Sequence, residues 1–294
     1  MVFKSGYVSI AGRPNVGKST LLNEIIGQKI AIVTPKAQTT RNSITGIKTV
    51  PDAQIIFIDT PGIHKPLHKL GEIMVKNAFG SLKDVDVVIY VTLPVMPKSF
   101  DVDTVRKVMN SSKKCILAIN KVDTVKKAIL LPVIGKYAEM FSFAEIVPIS
   151  ALSGEGIDAL VDTVKKYLPE GPQLYPDDMA SDQMEKFLAA EIIREKVFLY
   201  TKEEIPHSVT VEVLRWNEND SESVVKVEAN IYVERESQKG IIIGSGGSML
   251  KKIGSAARME IERVFGAQFY LSLWVKTKKD WRENVSFLRE IGFK

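Results

Sequence analysis

The chain of 294 residues contains one cysteine, Cys115, so an internal disulfide is excluded and a reducing compartment fits. No stretch approaches the roughly 18 consecutive apolar residues that a membrane span needs, so no transmembrane segment is expected. The first residues, Met1-Val2-Phe3-Lys4-Ser5-Gly6, run straight into a strand-like stretch and lack the charged, apolar and small-residue regions of a signal peptide. Together these absences predict a cytoplasmic protein. Internal repeats and low-complexity segments are also missing. A hydrophobic share of 45% and a charged share of 26% are ordinary for a folded chain, and the length exceeds one typical core, so two domains are expected. The net charge of +5 is unevenly placed: residues 1–170 hold 22 basic and 15 acidic side chains, residues 171–294 hold 18 and 20. Global basicity therefore gives no reason to expect nucleic-acid binding by the second half.

From residue 7 to 168, short β-rich runs alternate with amphipathic helical stretches. Strands are predicted at 7–11, 44–50, 54–59, 85–91, 115–120 and 146–149, and helices at 18–26, 73–82, 102–109 and 157–167. This alternation implies a mostly parallel sheet covered by helices, with ligands at the carboxyl ends of the strands. Pro169, Gly171, Pro172, Pro176 and Asp177-Asp178 break the pattern, so 171–181 reads as a linker. Beyond it, the expected order is a helix at 182–200, strands at 209–216 and 224–233, a helix at 248–265, a strand at 269–275 and a helix at 281–291. The domains expected are thus 1–170 and 182–294.

Three short signatures fall where an α/β sheet binds ligands. Gly12-Arg13-Pro14-Asn15-Val16-Gly17-Lys18-Ser19 follows a strand and opens a helix, the context of a phosphate loop. Its backbone N–H groups, with Thr20 next in the helix, would wrap a β-phosphate. Lys18 would bridge β- and γ-phosphates, and the Ser19 hydroxyl would bind Mg²⁺. Asp59 ends an apolar strand and would hold Mg²⁺ through water, while Gly62 lets a backbone N–H approach the γ-phosphate. Asn120-Lys121-Val122-Asp123 supplies base choice, because the Asp123 carboxylate can accept from guanine N1–H and the 2-amino group. Adenine would leave that carboxylate unsatisfied, so GTP and GDP are the expected ligands. Ser150-Ala151-Leu152 is placed to offer an N–H to guanine O6 and to buttress Asp123.

A second kind of glycine loop lies downstream, in Ile242-Ile243-Gly244-Ser245-Gly246-Gly247-Ser248-Met249-Leu250-Lys251-Lys252-Ile253. This stretch resembles the signature of the KH RNA-binding fold, in which a helix, a Gly-x-x-Gly loop and a second helix form an edge for about four nucleotides. Ile243, Gly244, Ser245, Gly246, Gly247, Lys251 and Lys252 are the candidate RNA-binding residues. From 238 to 263 there are five basic and two acidic residues, so the edge is expected to be positive within a domain that is not. The helix, strand, strand, helix, loop, helix, strand order matches the type II form. Ser245-Gly246 replaces the basic residue often found inside the loop.

On these motifs, with Gln38-Thr39-Thr40-Arg41-Asn42 and Asp59-Thr60-Pro61-Gly62-Ile63-His64, essentially the whole chain resembles the Era family of GTPases. The resemblance implies an α/β phosphate-loop GTPase domain followed by a smaller α+β type II KH domain. It places Thr39-Thr40 in the first switch loop, where Thr40, or alternatively Thr39, completes the Mg²⁺ shell in the GTP state. Ile63 stands where Ras-like enzymes carry a water-orienting glutamine, so water must be positioned otherwise in a slow reaction. The family suggests that Asn15 helps bind K⁺ near the phosphates. Lys18, Thr40, Gly62 and Asn15 are thus the catalytic candidates. The implied partners are single-stranded ribosomal RNA near the 3′ end of the small ribosomal subunit, with the protein as a monomer acting in ribosome assembly. Two rival readings are a constitutive RNA-binding protein with a structural nucleotide domain, and a signalling GTPase touching anionic membrane through its basic half.

Other features point to packing. His64 and His68 are four apart but Pro66 lies between them, which favours a solvated loop over a zinc site. Cys115 is expected in the core, as are Trp216, Trp274 and Trp281.

Overall fold

Strands rich in Val and Ile, flanked by amphipathic helices, organise the first part of the chain. The computed structural model describes residues 2–36, 38–111, 114–217 and 224–293. Its first elements are β1 (Lys4–Gly12), α1 (Lys18–Ile26), β2 (Ile44–Val50), β3 (Ala53–Asp59), α2 (Lys69–Gly80), β4 (Val87–Thr92), α3 (Ser99–Ser111), β5 (Cys115–Ile119), α4 (Lys127–Met140), β6 (Glu145–Pro148) and α5 (Ile157–Tyr167). The six strands form one sheet in the order β2-β3-β1-β4-β5-β6, antiparallel only between β2 and β3. Strand β4 is buried along its whole length, as expected for a parallel strand covered on both faces. Because β1 lies between β3 and β4, its carboxyl end opens beside that of β3, and β5 and β6 continue the same rim.

Two features of this part were not evident from local sequence signals. Helix α4 carries Pro132 inside it and has few buried residues, Val133 and Tyr137, so neither composition nor periodicity marks it as a helix. The segment 171–181 is pinned along the sheet edge: Gln54 accepts from the Leu174 and Tyr175 N–H groups and donates to the Tyr175 carbonyl, and Ile47 N–H donates to Ala180 O at 2.8 Å. Gln54 is fully buried, so these bonds supply the partners that its amide requires. Cys115 lies in the core as expected, and burial pushes its thiol up to about 12.

The remaining elements are α6 (Glu185–Tyr200), α7 (Ile205–Ser208), β7 (Thr210–Asn217), β8 (Val224–Val233), α8 (Glu236–Ile243), α9 (Ser248–Phe265), β9 (Gln268–Thr277) and α10 (Val285–Glu290). Strands β7, β8 and β9 form a sheet in that order, antiparallel then parallel. Alternation along β8 sends Val225, Val227, Ala229, Ile231 and Val233 to one face, where Ile192, Ile193 and Val197 of α6 and Ile253, Ala257 and Ile261 of α9 cover them. Each fully buried aliphatic side chain of this kind is worth about 1.5–3 kcal/mol. The last helix is shorter than 281–291, since Trp281 precedes it and is held as a buried anchor, its indole N–H donating to Ser208 O at 2.8 Å. Trp216 packs edge-on against Phe265 and Phe269, whereas Trp274 is 45% exposed and so departs from the core placement expected for it.

The chain divides into two compact units. The first comprises Met1–Ala31, Thr40–Pro66 and Met74–Asp182, and the second Ile32–Thr39, Leu67–Ile73 and Gln183–Lys294. Two short segments of the N-terminal half thus belong to the second unit, a feature that local sequence signals do not carry.

Candidate nucleotide and nucleic-acid sites

The loop between β1 and α1 turns back on itself through two left-handed residues, Asn15 and Gly17, and presents the amino end of α1 to the sheet rim. Lys18 curls over this loop, its ammonium donating to Gly12 O at 3.2 Å and Arg13 O at 3.0 Å. Burial pulls its pKa down to about 8, against the opposing influence of the Asp59 carboxylate. Asp59 is fully buried as well, and burial raises its pKa while Lys18, Ser19 and Thr40 act to lower it.

Three oxygens from separate segments meet beside Lys18. Ser19 Oγ lies 2.7 Å from both Asp59 Oδ2 and Thr40 Oγ1, and Thr40 Oγ1 donates to Asp59 Oδ2 at 3.2 Å. Asp59 Oδ1 is buried without a protein partner. A hard divalent cation that takes oxygen ligands fits this set, and Mg²⁺ there would neutralise phosphate charge. The Thr39 hydroxyl instead faces its own loop, 2.7 Å from Thr34 Oγ1 and donating to Lys36 O at 2.8 Å.

Gly62 is where the second signature touches the phosphate loop. A Cβ there would sit 2.7 Å from Pro14 N and 2.8 Å from Pro14 Cα, so only glycine permits this approach. The next residue donates its N–H to Gly12 O at 3.0 Å. The Ile63 side chain is buried in the hydrophobic cluster that includes Ala11, Val88 and Tyr90. His64 Nδ1 lies 2.7 Å from Gly62 O, and Gly71 N–H donates to His68 Nδ1 at 3.0 Å. Among the described residues no group of His, Cys, Asp and Glu is arranged to hold a metal by itself.

The third signature forms a cleft of about 220 Å³ lined by Gly17, Thr20, Asn120, Lys121, Asp123 and Leu152, among others. Asn120, only 2% exposed, ties the loops together: its amide donates to Val16 O at 2.8 Å, and its Oδ1 accepts from the Lys121 and Ala151 N–H groups. The Ala151 N–H is therefore engaged within the protein. Ser150 Oγ donates to Asp123 Oδ1 at 2.6 Å and orients that carboxylate, the buttress expected from the sequence. Lys121 adopts a left-handed backbone, φ 64°, and its ammonium donates to the carbonyl of Asn15, which has the same φ, at 3.0 Å. Such conformations cost non-glycine residues of order 1–3 kcal/mol and cluster at ligand sites.

In the second unit, α8 and α9 are joined by Gly244, Ser245, Gly246 and Gly247, with φ of 73° at Gly244. A Cβ at Gly244 would meet Met249 N at 2.8 Å, while Cβ atoms at Gly246 and Gly247 would point into open space. The loop is thus tight on its inner side and open on its outer side. Ile243 is partly buried against the core. Lys252 stacks over the Tyr200 ring at 4.4 Å, whereas Lys251 lines a groove of about 460 Å³ between α9 and the edge strand β9. The same groove is lined by Leu250, Gly254, Arg258, Tyr270 and Leu273. Arg258 and Tyr270 are candidate contacts that loop reading missed. Helical spacing holds the signal for the first, because Lys251, Gly254 and Arg258 share one face of α9 while Ile253, Ala257 and Ile261 form the buried one.

Comparison with known proteins finds relatives along the whole chain. The model of the 50S ribosome-binding GTPases matches residues 7–121, and that of the KH domain residues 204–282. The GTPase Era of Staphylococcus haemolyticus (strain JCSC1435) is 52% identical over 292 residues, 99% of this chain and 97% of that protein. The crystal structure of Era in complex with MgGDPNP and nucleotides 1506–1542 of 16S ribosomal RNA superposes with a TM-score of 0.95, at 42% identity and 99% coverage of both chains. An Aquifex aeolicus Era variant bound to GDP·AlF4⁻ has the same TM-score, identity and coverage.

Proposed function

Because the chain belongs to the Era family of GTPases, we propose that it binds and hydrolyses GTP with Mg²⁺ and couples its nucleotide state to binding of single-stranded small-subunit ribosomal RNA during ribosome assembly. The observation that carries the reading is the meeting of Ser19, Thr40 and Asp59 beside Lys18, with a second, open glycine loop and a groove elsewhere in the same chain. The first suits a γ-phosphate sensor, because Thr40, from a separate loop, meets Ser19 and Asp59 at the cation site, and a γ-phosphate bound there would hold that loop. The second suits single-stranded RNA, whose backbone can lie on the loop while bases enter the groove beside Arg258 and Tyr270. Relatives support this reading: one was crystallised with a 16S ribosomal RNA segment and a GTP analogue, another with GDP·AlF4⁻.

The residue roles form part of the proposal. Residues 1–170 are read as the GTPase domain, 171–181 as the connection and 182–294 as the RNA-binding domain, acting in the cytoplasm. Lys18, Ser19, Thr40 and Asp59 act on phosphates and Mg²⁺, Asp123 on guanine, and the Gly244–Gly247 loop with Lys251 on RNA. Water is positioned without a side chain from Ile63, which can neither donate nor accept a hydrogen bond. If K⁺ binds at Asn15 to supply the missing positive charge, hydrolysis will run several-fold faster in K⁺ than in Na⁺ at matched ionic strength. Equal rates would remove K⁺ from the mechanism.

The decisive experiment compares affinity for an RNA copying the 3′ end of the small-subunit ribosomal RNA, and for a scrambled control, in GDP and in a non-hydrolysable GTP analogue. Selective binding strengthened by the analogue is expected, by about 5–150-fold if coupling has its usual size. Gly244→Ala should weaken RNA binding about tenfold, because its Cβ at φ 73° would meet Met249 N at 2.8 Å and distort the loop, with the GTPase rate unchanged. Equal affinity in both nucleotides would end the coupling reading.

A further inference from the structure

The segment 32–39, which leads into Thr40, is part of the second compact unit and is fastened there to helix α6. Three attachments are spaced along it. The Val33 N–H donates to Glu195 Oε1 at 3.0 Å. The Lys36 ammonium donates to the carbonyls of Phe198 and Thr201, at the carboxyl end of α6, where the last carbonyls lack helical partners. The Thr39 carbonyl accepts from the guanidinium of Arg194.

The helix is built unusually for this contact. Arg194, Glu195 and Lys196 are consecutive and all buried, at 1%, 3% and 9% exposure. Charges are rarely buried unless paired, and here each has a partner: Arg194 with Glu191, and Lys196 with Glu195 at 2.9 Å. Glu191 grips Arg194 through two oxygens, Nε at 2.7 Å and Nη2, so the guanidinium plane is fixed before it meets Thr39. The segment itself is closed by its own hydroxyls, with Lys36 N–H donating to Thr34 Oγ1 at 3.2 Å and the Thr39 hydroxyl to Lys36 O. A closed loop held at three points transmits position to the next residue in the chain.

We propose that α6 is a clasp for the first switch segment, in which Arg194 is a positioning residue that, through the Thr39 carbonyl, sets Thr40 in reach of Ser19 and Asp59, with Lys36 as its second catch. The proposal rests on the reading of Thr40 as a cation ligand of the GTP state. Arg194 touches neither nucleotide nor RNA in this scheme. Its effect passes through one peptide bond, from the carbonyl it holds to the residue whose hydroxyl completes the cation site. GTP, by recruiting Thr40, favours the clasped arrangement, and the helix that receives the clasp is one that covers the sheet of the RNA-binding unit.

The test uses the full-length chain with Arg194→Ala, Arg194→Lys and Lys36→Met. GTP hydrolysis is titrated with Mg²⁺, GDP affinity is measured in parallel, and RNA affinity is compared in GDP and the GTP analogue. For Arg194→Ala the expected result is a roughly tenfold rise in the Mg²⁺ needed for half-maximal rate, GDP affinity within about twofold of wild type, and an RNA affinity ratio between the two nucleotides falling toward one. Arg194→Lys retains one donor and should recover part of the loss. Lys36→Met, at a half-buried loop position, should shift the Mg²⁺ requirement in the same direction by a few fold, and it decides the matter if Arg194→Ala does not fold. Wild-type Mg²⁺ dependence in the folded variants overturns the clasp. The Mg²⁺ readout needs no RNA, so a wild-type protein whose RNA affinity ignores nucleotide defeats the functional reading alone.

Discussion

Asp123→Asn is expected to lower GTP affinity by about 10²–10⁴-fold and to create affinity for xanthosine triphosphate. Guanine offers two donors, N1–H and the 2-amino group, and a carboxylate accepts both with charge assistance, each such bond contributing about 1.5–3 kcal/mol. Asparagine keeps one acceptor and adds one donor, which meets the 2-amino group donor to donor. Xanthine carries an oxygen at that position and suits the asparagine. The structure adds a reason for the swap to work cleanly. Ser150 Oγ donates to Asp123 Oδ1 at 2.6 Å, and an asparagine Oδ1 can accept the same bond, leaving its amide aimed at the base. Paired titrations with the two triphosphates check this, and unaltered GTP affinity would take Asp123 out of the base site.

Lys18→Ala is expected to reduce the GTP hydrolysis rate by at least about 10³-fold, since positive charge held against the β- and γ-phosphates is most of what the protein supplies to phosphoryl transfer. The ammonium is buried on the carbonyls of Gly12 and Arg13, with its pKa drawn down to about 8. The charged form is fully present well below pH 8 and is lost as pH rises through it. GTP binding by the native protein should therefore weaken above about pH 8, and a bound triphosphate, by stabilising the ammonium, should move that fall to higher pH. The alanine variant lacks the group and should lack this alkaline loss. Stopped-flow association from pH 6.5 to 9.5 on both proteins tests it, and identical profiles would show that Lys18 does not set the pH dependence.

Legibility differed between the sites for identifiable reasons. The phosphate loop, Asp59 and the Asn120 to Asp123 signature could be read because each requires particular residues at fixed local spacing, and the strands before them are apolar enough to locate. Thr40 was ambiguous with Thr39 in the sequence, since two adjacent hydroxyls differ only in the direction the backbone gives them. In the fold the Thr39 hydroxyl turns into its own loop and the Thr40 hydroxyl meets Ser19 and Asp59. The unsuitability of Ile63 for holding water was visible as chemistry, but its burial was not. Arg258 and Tyr270 went unread because their common groove needs α9 and β9 side by side.

Local chemistry was sufficient to specify which nucleotide is bound, since phosphate wrapping and base choice are each made by a few consecutive residues at strand ends. It was also sufficient for the type of each domain, through the period of apolar residues and the glycines that two tight loops require. Long-range packing settled the rest. Whether residues 171–181 hang free depends on Gln54, more than a hundred residues earlier in the chain. The attachment of residues 32–39 to α6 depends on charges at 191, 194 and 195 that look like an ordinary solvated helix face until Arg194 and Glu195 are buried. A residue's type limits what it can bond, but burial and partners come from segments distant in sequence, and those arise only when the chain is folded.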